Sequence, residues 1–143
     1  MTEPNENVSL PTPVPIAFLL CNSVLTEQDT NKKTIIGVWN NINARSLPHT
    51  EHQVCLYARL IDGEGQYAIK MELSRVETQQ HLLTIEGSIT ADSRHRPMDF
   101  SSPVFTLTLP AAGEYEFSLW MNDRYIHRVR FYVQDVSQGA TPV

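Results

Sequence analysis

Cysteine is scarce in this sequence, with only Cys21 and Cys55 among 143 residues. A disulfide framework or a structural zinc site needs more sulfur ligands at closer spacing, so neither kind of small domain is indicated. Each cysteine lies in an apolar stretch, where a free thiol behaves as a small hydrophobic side chain. We therefore interpret both as reduced core residues of a cytoplasmic protein, with a disulfide between them as the alternative.

Long apolar runs and an excess of positive charge are also missing. The early run from Ile16 to Leu20 is too short to span a bilayer, and Glu3 and Glu6 precede it instead of a basic region, so no signal peptide is indicated. The formal net charge is −5 and the pI is near 5.4, which gives the long-range field the wrong sign for nucleic acid or anionic lipid. These absences predict a cytoplasmic protein that binds neither nucleic acid nor membrane.

The sequence motifs of common enzymes are absent as well. There is no Gly-x-Ser-x-Gly elbow, no Walker loop and no His-Glu-x-x-His helix. The two cysteines are poor nucleophile candidates, because apolar surroundings raise the pKa of a thiol. We assign no catalytic residue and no cofactor, and the absence of these motifs disfavours an enzyme.

The sequence does contain a long alternation of apolar and polar residues near its end. Odd-numbered residues are apolar from Tyr115 to Met121 and again from Val129 to Val133. This period of two is typical of half-buried strands and predicts one β-hairpin. Phe117 and Phe131 are expected in the core.

Shorter strand-like runs recur along the rest of the chain between turn signals. They cover residues 16–22, 34–40, 54–61, 66–76, 81–90 and 103–109. With the hairpin they make about eight strands and no helix. We predict an all-β fold, an antiparallel β-sandwich of immunoglobulin-like type, with a jelly roll or a partly open barrel as the alternative. The single domain is expected at 16–134, between an extended or disordered tail at 1–15 and a frayed tail at 135–143.

The segment around Asp62-Gly63-Glu64-Gly65 predicts a second hairpin, in which Leu60 faces Tyr67. In that register Cys55, Tyr57 and Ile61 form an apolar stripe on an outer face. Such a stripe indicates a partner surface, unless the N-terminal tail covers it through Val8, Leu10 and Val14.

In the hairpin at 114–134 the inward residues of both strands have odd numbers, so the numbers of facing residues must have an even sum. A plain two-residue turn cannot give this register. We predict a three-residue loop at Asp123-Arg124-Tyr125, with a turn plus a bulge as the alternative. With three loop residues Trp120 faces Arg128 on the outer side, and Arg130 shares that side. This arrangement is interpreted as a cation–π pair, or else as a hot spot for a protein partner.

Two loops carry further candidate residues. His49 and His52 are weak metal candidates in the loop at 41–53, because no third ligand is identifiable. Arg94-His95-Arg96, in the loop at 91–102, suits a phosphate or carboxylate if it is not simply solvated. A small-ligand, metal or enzyme site requires that both loops lie at one end of the sandwich.

The segment from Leu109 to Phe117 resembles the corner of immunoglobulin-like sandwiches, in which a tyrosine hydroxyl bonds back to the upstream backbone. Tyr115 matches that tyrosine, whereas Phe117 stands where antibody domains carry a cysteine. The resemblance implies that Tyr115 is buried and bonded to the turn at 109–112. It implies nothing about function.

The stretch from Ala17 to Val133 also resembles a family of small uncharacterised bacterial proteins. The resemblance is carried by Cys21-Asn22 after an apolar strand, by the run from Tyr57 to Tyr67, YARLIDGEGQY, and by GEYEF at Gly113 to Phe117. It implies a soluble bacterial β-sandwich of unknown function, with no activity or catalytic residue to carry over.

The sequence is compatible with two functions. The first is a non-enzymatic protein-binding or assembly module that uses an exposed sheet face, with another protein or a second copy as partner. The second is the ligand, metal or enzyme site in loops 41–53 and 91–102. The binding candidates are Trp120, Arg128, Arg130, Tyr57, Arg94, His95 and Arg96.

Overall fold

The computed structural model describes residues 10–137, which form eleven β-strands and no helix. The strands are β1 Val14–Cys21, β2 Ser23–Thr26, β3 Lys33–Ile36, β4 Asn41–Ala44, β5 His49–Ile61, β6 Gly65–Arg75, β7 His81–Ala91, β8 Met98–Ser101, β9 Phe105–Leu109, β10 Gly113–Met121 and β11 Arg124–Asp135. This part of the chain therefore has no helix long and apolar enough to cross a membrane. The all-β prediction is confirmed.

Two larger sheets and one small hairpin account for all eleven strands. The five-stranded sheet has the order β4-β11-β10-β6-β7, and the β5 sheet has β1 on one side of β5 with β8 and β9 also paired to β5. Strands β2 and β3 pair only with each other. The expectation of about eight strands was too low, because three short strands lie in segments without visible alternation: β2, β4 and β8.

One pairing departs from the expected antiparallel pattern. Strand β4 runs parallel to β11, with Ile42 beside Val133 and Ala44 beside Asp135. It lies in the segment 41–53, which the sequence predicts as a loop, and the first residues of β5 lie in that segment too. A four-residue strand shows too little periodicity to be recognised, so only its buried neighbours reveal it.

The two larger sheets enclose one hydrophobic core. Leu56, Ala58 and Leu60 enter it from β5, and alternate residues of β6, β10 and β11 enter it from the other sheet. Phe117 and Phe131 are both buried, as expected. The alternation in the sequence thus assigns the inward side of every long core strand correctly.

The turn before β10 contains the expected tyrosine bond. Tyr115 is fully buried, its hydroxyl donates to the carbonyl oxygen of Ala111 at 2.5 Å, and the Ala111 amide donates to that hydroxyl at 3.2 Å. The hydroxyl therefore satisfies both backbone groups of a residue in the turn that precedes its own strand.

The predicted hairpin between β5 and β6 is wrong. These strands belong to different sheets, and the turn at Asp62 to Glu64 carries the chain from one sheet to the other. Leu60 and Tyr67 are both buried but are not partners within a sheet. Alternation reports which side of a strand faces the core, and two strands that face the same core need not be hydrogen-bonded neighbours.

The connection between β10 and β11 follows the alternative that combines a turn and a bulge. Asn122 and Asp123, at φ of 49° and 63°, form a two-residue turn, and Ile126 is the extra residue of a bulge. Phe117 consequently faces Val129, and Tyr115 faces Phe131. The predicted three-residue loop is wrong, and so is the pairing of Phe117 with Phe131 that such a loop implies. The bulge at Ile126 brings odd-numbered residues opposite each other again, but in a register shifted by two residues.

The apolar stripe on the outer side of β5 is covered by the hairpin of β2 and β3. Val24 and Ile35 pack over Cys21, Cys55 and Tyr57. Among residues 10–15, Leu10 packs against Gly65 and Val14 pairs with Ile61 in β1, two residues before the expected start of the fold, so neither lies over Cys55 or Tyr57. Val8 lies outside the described residues.

Candidate functional site

The face of the five-stranded sheet that points away from the core is the best-developed polar surface of the molecule, and we call it the outer face. Even-numbered residues of β6, β10 and β11 carry it, because their odd-numbered neighbours are committed to the core. Its central side chains are Lys70, Glu72, Glu114, Glu116, Ser118, Trp120, Arg128, Arg130 and Tyr132.

An aromatic cluster occupies the end of the outer face next to the β10–β11 turn. Trp120 faces Lys70 across β6 and Tyr125 across β11. The Lys70 ammonium lies 5.4 Å from the indole centroid, and the Tyr125 ring meets the indole edge-on at 5.5 Å. The indole nitrogen donates to the Ser118 hydroxyl at 2.9 Å. Trp120 is therefore held in one orientation from three sides, and Tyr125 remains half exposed.

The expected pairing of Trp120 with Arg128 is wrong. Arg128 lies opposite Ser118, and its guanidinium approaches Glu116 at 3.7 Å. The cation beside the indole is Lys70, which comes from the other neighbouring strand. The sequence carried a signal for Lys70, because it alternates outward in β6, but the order of strands was needed to place it beside Trp120.

A cross-strand ion network lies next to the aromatic cluster. Arg130 donates to Glu116 at 2.9 Å and also approaches Glu114 at 3.6 Å. The bond to Glu116 raises the pKa of Arg130, so this arginine stays charged. Within residues 10–137 Arg128 makes only the longer contact to Glu116, and 53% of its side chain is exposed. Much of its guanidinium fork therefore faces solvent.

Tyr57 belongs to a different cluster, on the β5 sheet. Its hydroxyl donates to Asp99 at 2.7 Å, and Arg59 binds the same carboxylate through two nitrogens at 2.7 and 3.0 Å. The hydrogen bond from Arg59 lowers the pKa of Asp99, while burial, followed by the bond to Asp99, raises the pKa of Tyr57 to about 12. Tyr57 is only 4% exposed, and the cluster ties β8 to β5, while 40% of the Arg59 side chain remains exposed.

The two candidate loops do not form one pocket. His49 is the first residue of β5, whereas Arg94 and His95 line a surface depression with Asp62, just past the last residue of that strand. Twelve residue steps of about 3.3 Å put the two ends roughly 35–40 Å apart. The proposed composite site in loops 41–53 and 91–102 is therefore not assembled.

The individual residues of those loops have ordinary surroundings. His49 contacts Glu51 at 3.0 Å and His52 is exposed. Arg94, His95 and Arg96 are exposed on a turn at which Ser93 accepts backbone bonds, and among residues 10–137 neither arginine forms an ion pair. Within the same described range no group of three or more His, Cys, Asp or Glu side chains is arranged to hold a metal ion. Any binding role for Arg94, His95 or Arg96 remains a prediction.

Sequence reasoning missed three members of these clusters. Asp99 lies in a segment without periodicity, and Tyr125 and Tyr132 lie in β11, the bulged strand whose register was misassigned. An Asp in a short strand beside an outward Tyr-x-Arg pair has no local signature. Only the pairing of β8 with β5 brings it there.

The chain belongs to the family of unknown function DUF6941, whose model matches residues 16–134. No curated protein matches the chain. The family match confirms the expectation, made from the residues between Ala17 and Val133, of a family without an assigned activity.

Proposed function

We propose that this protein is a non-enzymatic protein-binding or assembly module whose outer face contacts another protein. The observation that carries the proposal is the aromatic cluster of Trp120, Tyr125 and Lys70 beside the exposed fork of Arg128. Trp, Tyr and Arg are the residue types that dominate the energetics of protein interfaces. An indole that Lys70, Tyr125 and Ser118 already hold in place loses little side-chain entropy when a partner binds.

The charges of the outer face indicate the chemistry of the partner. Arg130 is held by Glu116 and Glu114, so it contributes a fixed charge pattern, whereas Arg128 keeps donors free for a new acceptor. A suitable partner presents a carboxylate to the donors of Arg128 and an apolar group to the rings of Trp120 and Tyr125. The glutamates beside them disfavour a uniformly acidic surface.

Three finer features belong to the same proposal. An immunoglobulin-like sandwich is supported by the bond from Tyr115 to Ala111, which has the form expected of that corner. A cytoplasmic location is supported by two reduced cysteines, and a bacterial source by the sequence resemblance alone.

Photo-crosslinking in the native host tests the proposal. A benzophenone side chain at Tyr125 or Tyr132 replaces an aromatic ring that is about half exposed, at 51% and 52% respectively. The same group at Leu25, on the β2–β3 hairpin and 55% exposed, is the matched control. We expect both outer-face positions to capture one common protein, identified by mass spectrometry, and the Leu25 position not to capture it.

Binding of that protein, once purified, is then measured by calorimetry. Trp120→Ala is expected to raise the dissociation constant by about 30-fold, which corresponds to roughly 2 kcal/mol at a hot spot. Equal capture from Leu25, or an unchanged dissociation constant in Trp120→Ala, contradicts the proposal.

A further inference from the structure

The free edges of the two larger sheets differ in how well they are protected. Strand β4 has four residues, β1 carries Pro15 at a bulge, and Pro103 separates β8 from β9. Short strands, prolines and bulges are the usual means by which proteins prevent edge-to-edge pairing. These three edges are therefore blunted.

Strand β7 is the exception. It has eleven residues, pairs with β6 on one side only, and contains no proline, lysine or arginine. In an antiparallel strand half of the backbone N–H and C=O groups point to each neighbour, so β7 presents an unused row of donors and acceptors. Within residues 10–137 no other strand pairs with this edge.

A cleft lies beside residues 83–85 of this edge, between β7 and the chain at 102–106. Leu83, Ile85 and Phe105 line it and are only partly buried. Its volume is about 350 Å³. A strand added to β7 would place its core-side residues beside Leu83 and Ile85 at this cleft, so the missing neighbour must alternate apolar and polar residues.

We propose that the missing neighbour is β7 of a second copy of this chain, paired antiparallel about a twofold axis through Gly87. Leu83, Ile85 and Ile89 face the core side, as their partners in β6 do. A symmetric pair keeps core-side residues opposite core-side residues, which requires facing residue numbers to have an even sum. Pairing centred on Gly87 satisfies this condition over residues 83–91.

The side chains of β7 complement themselves in that register. Ile85 faces Ile89 of the second copy over the cleft, and on the outer side Thr84 faces Thr90 while Glu86 faces Ser88. Centring the pair one residue earlier would place Glu86 directly opposite its own copy, and like charges so placed repel each other. The second copy is therefore a better occupant than an arbitrary extended peptide, because its sequence already has the required pattern.

Gly87 also fits a position on the axis. A Cβ at Gly87 would lie 3.2 Å from the Phe100 ring, which fills the space under this part of the strand. The second copy would bring its own Phe100 to the same axis, so that the two rings close the core side of the new pair where glycine provides no side chain.

Sedimentation of the full chain from micromolar to millimolar concentration tests this pairing. We expect a reversible dimer. Thr84→Lys with Thr90→Lys puts lysine opposite lysine twice, and we expect the dissociation constant to rise by about tenfold. Thr84→Lys with Thr90→Glu puts opposite charges together and should restore the dimer. Both threonines are exposed.

The matched control is Thr34→Lys with Thr50→Lys, which adds the same charge at exposed strand threonines away from β7 and should leave the dimer unchanged. Hydrogen exchange of the wild-type β7 amides, which should slow as the concentration rises, does not depend on any variant folding. A wild-type monomer at all concentrations overturns the proposal, as does a dimer that is insensitive to both charge variants. A monomer that binds an alternating apolar peptide at β7 also overturns it. None of these outcomes bears on the outer face, whose test uses a different protein.

Discussion

At the scale of single residues, every buried polar side chain within residues 10–137 has a hydrogen-bond partner. The partners are often backbone groups of other segments: the Tyr115 hydroxyl bonds both backbone groups of Ala111, Tyr67 donates to Pro11 at 2.7 Å, and Ser102 accepts from the Leu56 amide at 2.9 Å. Each bond ties a strand to a connection outside its own ladder. Removing one of these hydroxyls therefore leaves backbone groups unpaired in the interior.

Tyr115→Phe is expected to lower the free energy of unfolding by about 1–2 kcal/mol, because the change keeps the ring but leaves both backbone groups of Ala111 without their hydrogen-bond partner. The measurement is the urea midpoint. Tyr132→Phe, at an exposed ring on the same sheet, is the control and should be neutral. An unchanged midpoint in Tyr115→Phe would show that the hydrogen bond makes no net contribution to stability.

Asp99→Asn is expected to cost about 1–3 kcal/mol at pH 7, since it weakens charged hydrogen bonds from Arg59 and Tyr57. The pKa of Asp99 is lowered in the folded protein, so the carboxylate stabilises the fold above its ordinary unfolded pKa of about 3.9. That contribution is lost as the pH falls toward the lowered folded pKa. Urea midpoints at pH 7 and pH 3 measure it.

The difference in stability between wild type and Asp99→Asn should therefore shrink below about pH 4. Asp92→Asn, at an exposed carboxylate, is the control. A difference that is equally large at both pH values would assign the effect to packing instead of charge.

The thiol of Cys21 should be inert in the folded protein. Burial, with the neighbouring Cys55 as a second cause, raises its pKa to about 12, and the reactive thiolate is then scarce at neutral pH. We expect negligible reaction with a disulfide reagent at pH 8 until urea unfolds the chain, after which both cysteines react. Rapid labelling of the native protein would mean that the β2–β3 cover opens.

At the scale of secondary-structure elements, the hairpins differ in what they contribute. The β10–β11 hairpin supplies core residues on one side and the outer face on the other. The β2–β3 hairpin forms no ladder with either sheet and only covers Cys21, Cys55 and Tyr57. Gly37 ends it at a positive φ of 67°, where a Cβ would lie 2.5 Å from the Asn22 side chain.

A double-mutant cycle can decide which cation supports Trp120. Trp120→Ala combined with Lys70→Ala is expected to show a coupling energy of about 0.5–1 kcal/mol in urea unfolding, the usual range for a cation beside an indole. The matched cycle with Arg128→Ala should give a coupling near zero, because Arg128 faces Ser118. The reverse result would contradict the observed register.

At the scale of the whole molecule, stability depends on the single core shared by the two larger sheets. Tyr115, Phe117 and Phe131 form its aromatic centre, where the Phe131 ring lies 5.3 Å from Tyr115 and 6.2 Å from Phe117. Side chains from β5 and β6 reach the same core although those strands are not neighbours. The sheets should consequently unfold together.

Phe117→Ala tests that expectation, and it should lower the free energy of unfolding by about 3–5 kcal/mol because it leaves a cavity among fully buried neighbours. Near- and far-ultraviolet circular dichroism should report one coincident urea transition. Leu25→Ala, at an exposed side chain, is the control and should stay within about 0.5 kcal/mol of wild type. Two separate transitions would show that the sheets do not share one cooperative core.

The sequence by itself determined the all-β class, the inward sides of β5, β6, β10 and β11, and the burial of Tyr115. These features depend on residues a few positions apart, since a side-chain period of two and a turn are local properties. The family match at 16–134 rests on the sequence as well.

The tertiary structure alone decided which strands are neighbours. It separated β5 from β6, put Lys70 instead of Arg128 beside Trp120, brought Asp99 to Tyr57 and, within residues 10–137, left the β7 edge unpaired. It also showed that His49 and Arg94 lie near opposite ends of β5. Alternation is compatible with many strand orders. It shows that a strand has an apolar face to cover, but it does not specify which strands form hydrogen bonds with its two edges. The order that buries the most apolar surface without unpaired backbone groups is a property of the whole chain.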